Sequence, residues 1–280
     1  MRGLMIQGTA SDVGKTMVQT LLSRYFANKN YSVAPFKSQN MTNYLVKTKD
    51  DKYIARSQAL QAEAAKQEAI TAMNPIILKI VKDQKAEVLL KGEAVKIVWG
   101  REYRDEFYEK GLEVIKESLE YLDEYYDMIL AEGAGSPVEL NLKDRELVNM
   151  KIAEMADLPV ILVADIDRGG VFASIVGTLA LLRADERKRV KGIIINKFQG
   201  DLSLFEEGKK WIEVETGIAV IGILPVISHR IEAEDSLSEQ NKVIQSRNNN
   251  QDKYEEILEK FKEYLDFEQI EKIMNEWGSK

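Results

Sequence analysis

Six short apolar runs constrain the fold of this 280-residue chain more than any other feature: "LMIQG", "SVAPFK", "DMILAEG", "PVILVAD", "GIIINK" and "AVIGILP". Runs of this length, rich in Val, Ile and Leu and lacking polar alternation, read as strands buried on both faces, as in a parallel sheet. Helical patterns separate them. Val18, Leu21, Leu22, Tyr25 and Phe26 repeat at three- and four-residue spacing after the first run, and Tyr108, Leu112, Ile115, Leu119 and Leu122 do so before the third. Strand and helix alternating in this way predict an α/β fold with a doubly wound, mostly parallel sheet. Right-handed crossovers then place ligands at the carboxyl ends of the strands.

The first run leads into "IQGTASDVGKTMVQTLL". A strand feeding a small-residue turn that opens a helix is a phosphate cradle, because unpaired amides and the helix dipole both favour an anion there. This predicts nucleotide contacts from Gly8, Thr9, Ser11, Asp12, Val13, Gly14, Lys15, Thr16 and Met17, with Lys15 reaching the β- and γ-phosphates and the Thr16 hydroxyl on Mg²⁺. Gly8 stands one residue further from Gly14-Lys15 than the usual P-loop spacing. Ala10 occupies the position where dimerising switch ATPases carry an extra lysine, which turns the reading away from that class.

Carboxylates close two later strands. Glu132, followed by Gly133-Ala134-Gly135, is the first choice for a Mg²⁺ ligand. Asp165 and Asp167 in "VADIDRGG" stand beside Arg168, and their alternative reading is as solvated charges. Lys37 reads either as a partner for a substrate carboxylate or as a solvated turn residue. Asn196 reads either as a nucleobase contact or as a helix cap.

With 39 Lys+Arg against 46 Asp+Glu, the net charge of −7 argues against general nucleic-acid binding. No apolar run approaches the ~18 residues of a membrane span, and a strand pattern begins at once without a leader, so no membrane partner and a cytoplasmic location are expected. The absence of cysteine excludes disulfides and thiolate chemistry; with His229 as the one histidine, a Cys-His glutamine-hydrolysing site cannot be built from these residues. His229 reads as exposed or capping. The polar stretch over 238–250 reads as a linker between a domain spanning 1–237 and a helical tail over 251–280. In that tail Tyr254, Ile257, Leu258, Phe261 and Leu265 share a face, and Asp266 with Gln269 resembles a capping box.

Taken together, "GTASDVGKT", "APFKSQNMTN", "RSQALQAEAA", "EGAGSPVELNL", "ADIDRGGVFAS" and "GIIINKFQGD" resemble the ATP-dependent amidotransferase domain of the cobyric acid synthase family, corrinoid enzymes related to dethiobiotin synthetase. The resemblance covers nearly all of 1–237. It implies a dethiobiotin synthetase-like P-loop fold, ATP and Mg²⁺ as cofactors, and amidation of carboxylates of adenosylcobyrinic acid a,c-diamide through an acyl phosphate attacked by ammonia. On the same ground Lys15, Lys37, Glu132 and Asp167 are the expected catalytic residues, and Thr16 and Glu132 the metal ligands. Lys37, Gln39, Asn40, Ser136 and Arg168 are expected at the corrinoid, and Asn196 joins the P-loop residues at the nucleotide. Family members usually carry a glutaminase region before a closing helical segment like this tail, so ammonia would come from outside or from a separate glutaminase. A homodimer stays open, because related folds often dimerise. The other readings are a nucleotide-binding regulator and a ligase of the dethiobiotin synthetase type. Ser38 stands where the family usually has proline, and "LKIVKDQKAEV" lacks the Pro and Gly usual in a substrate-side loop.

Overall fold

The computed structural model describes residues 1–81, 85–141, 143–226 and 250–278. In chain order, β1 (Gly3–Gly8), α1 (Lys15–Asn28), β2 (Val33–Phe36), β3 (Gln39–Met41), β4 (Leu45–Lys47), β5 (Tyr53–Ala55) and α2 (Arg56–Ala64) come first. They are followed by β6 (Ile76–Ile80), β7 (Lys85–Leu90), β8 (Glu93–Trp99), α3 (Gly100–Glu106), α4 (Tyr108–Tyr125) and β9 (Met128–Glu132). The described chain ends with α5 (Met150–Met155), β10 (Val160–Asp165), α6 (Val171–Leu181), α7 (Ala184–Arg187), β11 (Val190–Phe198), α8 (Glu206–Thr216), β12 (Val220–Pro225), α9 (Asn250–Phe261) and α10 (Phe267–Trp277).

All six apolar runs form strands of one six-stranded sheet, ordered β12-β11-β10-β1-β9-β2, and every pairing in it is parallel. Side chains alternate between two cores. Leu4 and Ile6 of β1, Leu130 of β9, Ile161 and Val163 of β10 and Ile194 of β11 face the side covered by α1, α9 and α10. Met5, Ile129, Ala131, Leu162, Ile193 and Ile195 face the side covered by α4, α5 and α6. Burial on both faces is why these strands are continuous apolar runs.

A second sheet, ordered β3-β6-β7-β8, stands beside the first; β3 and β6 are parallel and the remaining pairs antiparallel. It contains most of "LKIVKDQKAEV", expected as a loop, as the facing ends of β6 and β7. The tail helices join the main core. Ile257, Leu258, Phe261, Ile270 and Met274 pack with Leu21, Leu22 and Phe26 of α1, and the Ile223 amide donates to the Tyr264 carbonyl at the edge of β12. The Asp266 side chain accepts from the Gln269 amide at 2.9 Å and caps α10. His229 and nearly all of the 238–250 linker lie outside the described residues.

Candidate active site

β1 lies between β9 and β10, so the turn leaving it is flanked by the ends of both. Register pairs Ile6 with Glu132 and Gly8 with Val163, and the Thr9 amide donates to the Val163 carbonyl at 2.9 Å. This arrangement of strand ends is the usual ligand position of an open α/β sheet. The turn ends at Gly14, whose φ of 101° belongs to the left-handed region and whose Cβ, were there one, would lie 2.0 Å from Asn196 Nδ2. Lys15 is 5% exposed and folds back along the turn, donating to the carbonyls of Ala10 at 3.2 Å and Gly135 at 3.4 Å. A side chain on Gly8 would lie 2.6 Å from Val13 Cγ2 and 2.9 Å from the Ala10 carbonyl, so the turn needs glycine there.

Three residues far apart in sequence converge on Glu132, itself 1% exposed. Thr16 Oγ1 donates to Glu132 Oε1 at 2.8 Å, Lys37 Nζ donates to the same oxygen at 3.3 Å, and Gln61 Nε2 donates to Oε2 at 2.7 Å. Gln19 stands behind Gln61, donating from Nε2 to Gln61 Oε1 at 3.2 Å and to the Leu130 carbonyl at 2.8 Å. Lys37 is buried and ion-paired, which excludes the solvated-turn reading. Sequence reasoning missed Gln61 and Gln19. Gln61 lies inside the quoted "RSQALQAEAA", but only the docking of α2 beside α1 brings it to Glu132.

The other expected residues divide into three groups. On the nucleotide turn, Thr9 is half-buried, Ser11 and Asp12 are exposed, and Val13 and Met17 are buried in the core beneath. Asn196 Nδ2 donates to the Val13 carbonyl at 2.8 Å and so braces the turn, a role that neither of its sequence readings contained. Lys197, with a left-handed φ of 61°, joins it by donating to the Asp12 carbonyl at 2.6 Å and to Asp165 Oδ2 at 2.7 Å. Arg168 is exposed, 3.9 Å from Asp12 and 3.7 Å from Asp165. Asp167 is exposed and accepts from Gln199 Nε2 at 2.5 Å, outside the Glu132 cluster.

Gln39 and Ser136 line a separate cleft of about 380 Å³ between the second sheet, α3 and the loop after Glu132. Its walls are largely apolar, from Met41, Leu78, Tyr103 and Leu147, with Arg104 and Arg145 among its charged groups. Burial raises the Tyr103 phenol above its ordinary pKa, and its hydroxyl donates to Gln39. Burial likewise raises the Glu146 carboxyl, against the lowering effect of amides donated by Lys151, Asn149 and Val148. Ser38, at the family's proline position, uses its hydroxyl to hold the Leu147 carbonyl at 2.6 Å. Asn40 does not line the cleft; it is buried and donates to Gln58 Oε1 at 2.8 Å and Ser57 Oγ at 3.1 Å. Asn149 ties the cleft to the nucleotide turn: its Nδ2 donates to the carbonyls of Ala134 and Ser136, on either side of the Gly135 carbonyl that receives Lys15.

Among the described residues no group of three or more His, Cys, Asp or Glu side chains is arranged to hold a metal. One carboxylate and one hydroxyl, Glu132 and Thr16, fit an ion that takes its remaining ligands from phosphate oxygens and water, as Mg²⁺ does. No helix among the described residues is long and apolar enough to cross a membrane.

The AAA domain family matches residues 2–233. Cobyric acid synthase from Anoxybacillus flavithermus is 53% identical over 84% of this chain and 47% of its own length. A probable cobyric acid synthase from Methanothermobacter thermautotrophicus is 48% identical over 84% of this chain and 47% of its own length. The chain thus spans about half the length of these curated relatives. Among solved structures, the 54 kDa signal recognition particle protein of Aeropyrum pernix in complex with GDP is 16% identical, with a TM-score of 0.43, over 80% of this chain and 41% of that one. The chain belongs to the AAA domain family, and its sequence relatives in these comparisons are cobyric acid synthases.

Proposed function

We propose that this chain is an ATP-dependent amide ligase that converts peripheral carboxylates of adenosylcobyrinic acid a,c-diamide into amides. Ammonia comes from outside the chain or from a separate glutaminase. The observation that carries the reading is the meeting of Thr16 and Lys37 on Glu132 Oε1 at the end of the phosphate turn. A P-loop hydroxyl, a carboxylate and a buried cation together suit transfer of a phosphoryl group to an anionic acceptor.

A carboxylate oxygen is a poor leaving group and phosphate a good one, so the reaction needs an acyl phosphate. A substrate carboxylate oxygen attacks the γ-phosphorus and the bond to ADP breaks. Ammonia then attacks the carbonyl carbon, phosphate departs with the carbon–oxygen electron pair, and the nitrogen loses a proton to solvent. The protein aligns these groups and offsets their charge. Thr16 and Glu132 would hold Mg²⁺ with the nucleotide, and the ion would supply neutralisation of the phosphate oxygens. The Lys15 ammonium, now on two backbone carbonyls, is placed to exchange them for phosphate oxygens. Lys37 provides a fixed positive charge against two anions that must approach each other. The apolar cleft beyond Ser136 suits the body of a corrinoid, and Arg104 and Arg145 suit its carboxylates.

The test follows phosphate release from ATP and Mg²⁺ with the diamide, comparing ammonium and glutamine while monitoring the corrinoid mass. Amidation with ammonium is the expected result. Measurable ATP binding without turnover from either nitrogen source would contradict the reading and favour a nucleotide-binding regulator.

A further inference from the structure

We infer that Gln61, backed by Gln19, is a positioning residue that orients the Glu132 carboxylate toward the metal–nucleotide site. The inference rests on the assignment of Glu132 to that site. Gln61 and Gln19 are fully buried, and their amides form a directed chain. A backbone carbonyl can only accept, so at Leu130 the Gln19 side chain must present its NH₂ group, 2.8 Å away. The same nitrogen lies 3.2 Å from Gln61, which therefore presents its oxygen there and its NH₂ to Glu132 Oε2 at 2.7 Å. Flipping either amide would set donor against donor or acceptor against acceptor.

The chain closes on itself. Leu130 and Glu132 lie on the same strand, β9, so the backbone that carries the carboxylate also dictates which way the amide holding it points. Oε2 is thereby engaged from the α2 side, and Oε1 is the oxygen presented to Thr16. A glutamine does this without adding charge. Glutamate at the same place would set a second anion against Glu132, and an apolar residue would remove the donor altogether. Outer partners of this kind fix the orientation of a metal-binding carboxylate, and their loss commonly weakens metal binding by about 10–100-fold.

The test measures binding of a non-hydrolysable β,γ-imido ATP analogue by calorimetry, with and without Mg²⁺, to the wild type, Gln61→Met and Gln61→Glu. In the wild type, Mg²⁺ should strengthen binding. In Gln61→Met that gain should fall by about tenfold or more while metal-free affinity is retained. Gln61→Glu, which sets a carboxylate against Glu132 in place of the amide donor, should lose the gain as well. Should Gln61→Met fail to fold, the Mg²⁺ gain of Gln61→Glu carries the test. Wild-type Mg²⁺ dependence in both variants would overturn the inference. So would equal loss of metal-free and metal-bound affinity, the mark of a merely structural role, or a wild type whose affinity ignores Mg²⁺. Corrinoid-dependent phosphate release by the wild type reads the proposed reaction separately. Its absence beside a Mg²⁺ effect sensitive to Gln61 would discard the reaction and support the positioning role.

Discussion

Thr16 and Glu132, 116 positions apart in the chain, are joined by a 2.8 Å hydrogen bond from hydroxyl to carboxylate. The bond exists because β1 and β9 are neighbours in register, so the helix following one strand begins where the other ends. Replacing Glu132 by Gln should therefore affect both chemistry and stability. It removes the negative charge beside Lys37, whose side chain is only 5% exposed. Breaking a buried pair costs on the order of 3–5 kcal/mol, measurable by urea denaturation. Corrinoid-dependent phosphate release should fall by about a hundredfold or more.

Gly14→Ala should abolish nucleotide binding. The new methyl would meet Asn196 Nδ2, and the left-handed backbone adds a strain of roughly 1–2 kcal/mol for a residue with a side chain. Asn196→Ala removes the clash and should restore part of the lost thermal stability to the double variant. Calorimetric titration and melting curves of the three variants check both outcomes.

The tail is held by a buried arginine. Arg24 Nη2 donates to the Gln251 carbonyl at 2.8 Å and to its side-chain oxygen at 2.6 Å, and Nη1 donates to the Ala64 carbonyl at 3.3 Å. Arg24→Met should lower stability by about 2–4 kcal/mol, because acceptors on both α9 and α2 lose a charged donor. Limited proteolysis should then cut within α9 sooner than in the wild type.

Glu271 on α10 predicts a pH dependence of tail docking. Burial pushes its carboxyl up, but hydrogen bonds from Lys29 and Tyr25, with the positive charges of Lys29 and Arg2, outweigh burial and leave the pKa lowered. A carboxyl lowered on folding contributes stability that is present above its unfolded pKa and lost as pH falls through the folded value. Melting temperature should therefore fall more steeply below about pH 4.5 in the wild type than in Glu271→Gln. Equal slopes would show that the pair contributes nothing.

The main sheet was legible because its strands are buried on both faces and so leave unbroken apolar runs. The second sheet was not. Five of the first six positions of β8 are exposed along with its last, Trp99, and its sequence carries no core stripe to mark it as a strand. The P-loop could be read from local spacing, as could Glu132 from its place at a strand end. Gln61 could not, since its contact depends on how α2 packs against α1 and β9. Ser38 shows the converse: its departure from the family pattern is visible in sequence, but the bond to Leu147 that it makes instead is not.

The most direct test of the central claim is isotopic. The diamide, prepared with heavy oxygen in its free carboxylates, is turned over with ATP, Mg²⁺ and ammonium, and the released phosphate is examined by mass spectrometry. An acyl phosphate route predicts one heavy oxygen in the phosphate for each amide formed, and about a hundredfold less labelled phosphate with Glu132→Gln. Amide formation accompanied by unlabelled phosphate would contradict it.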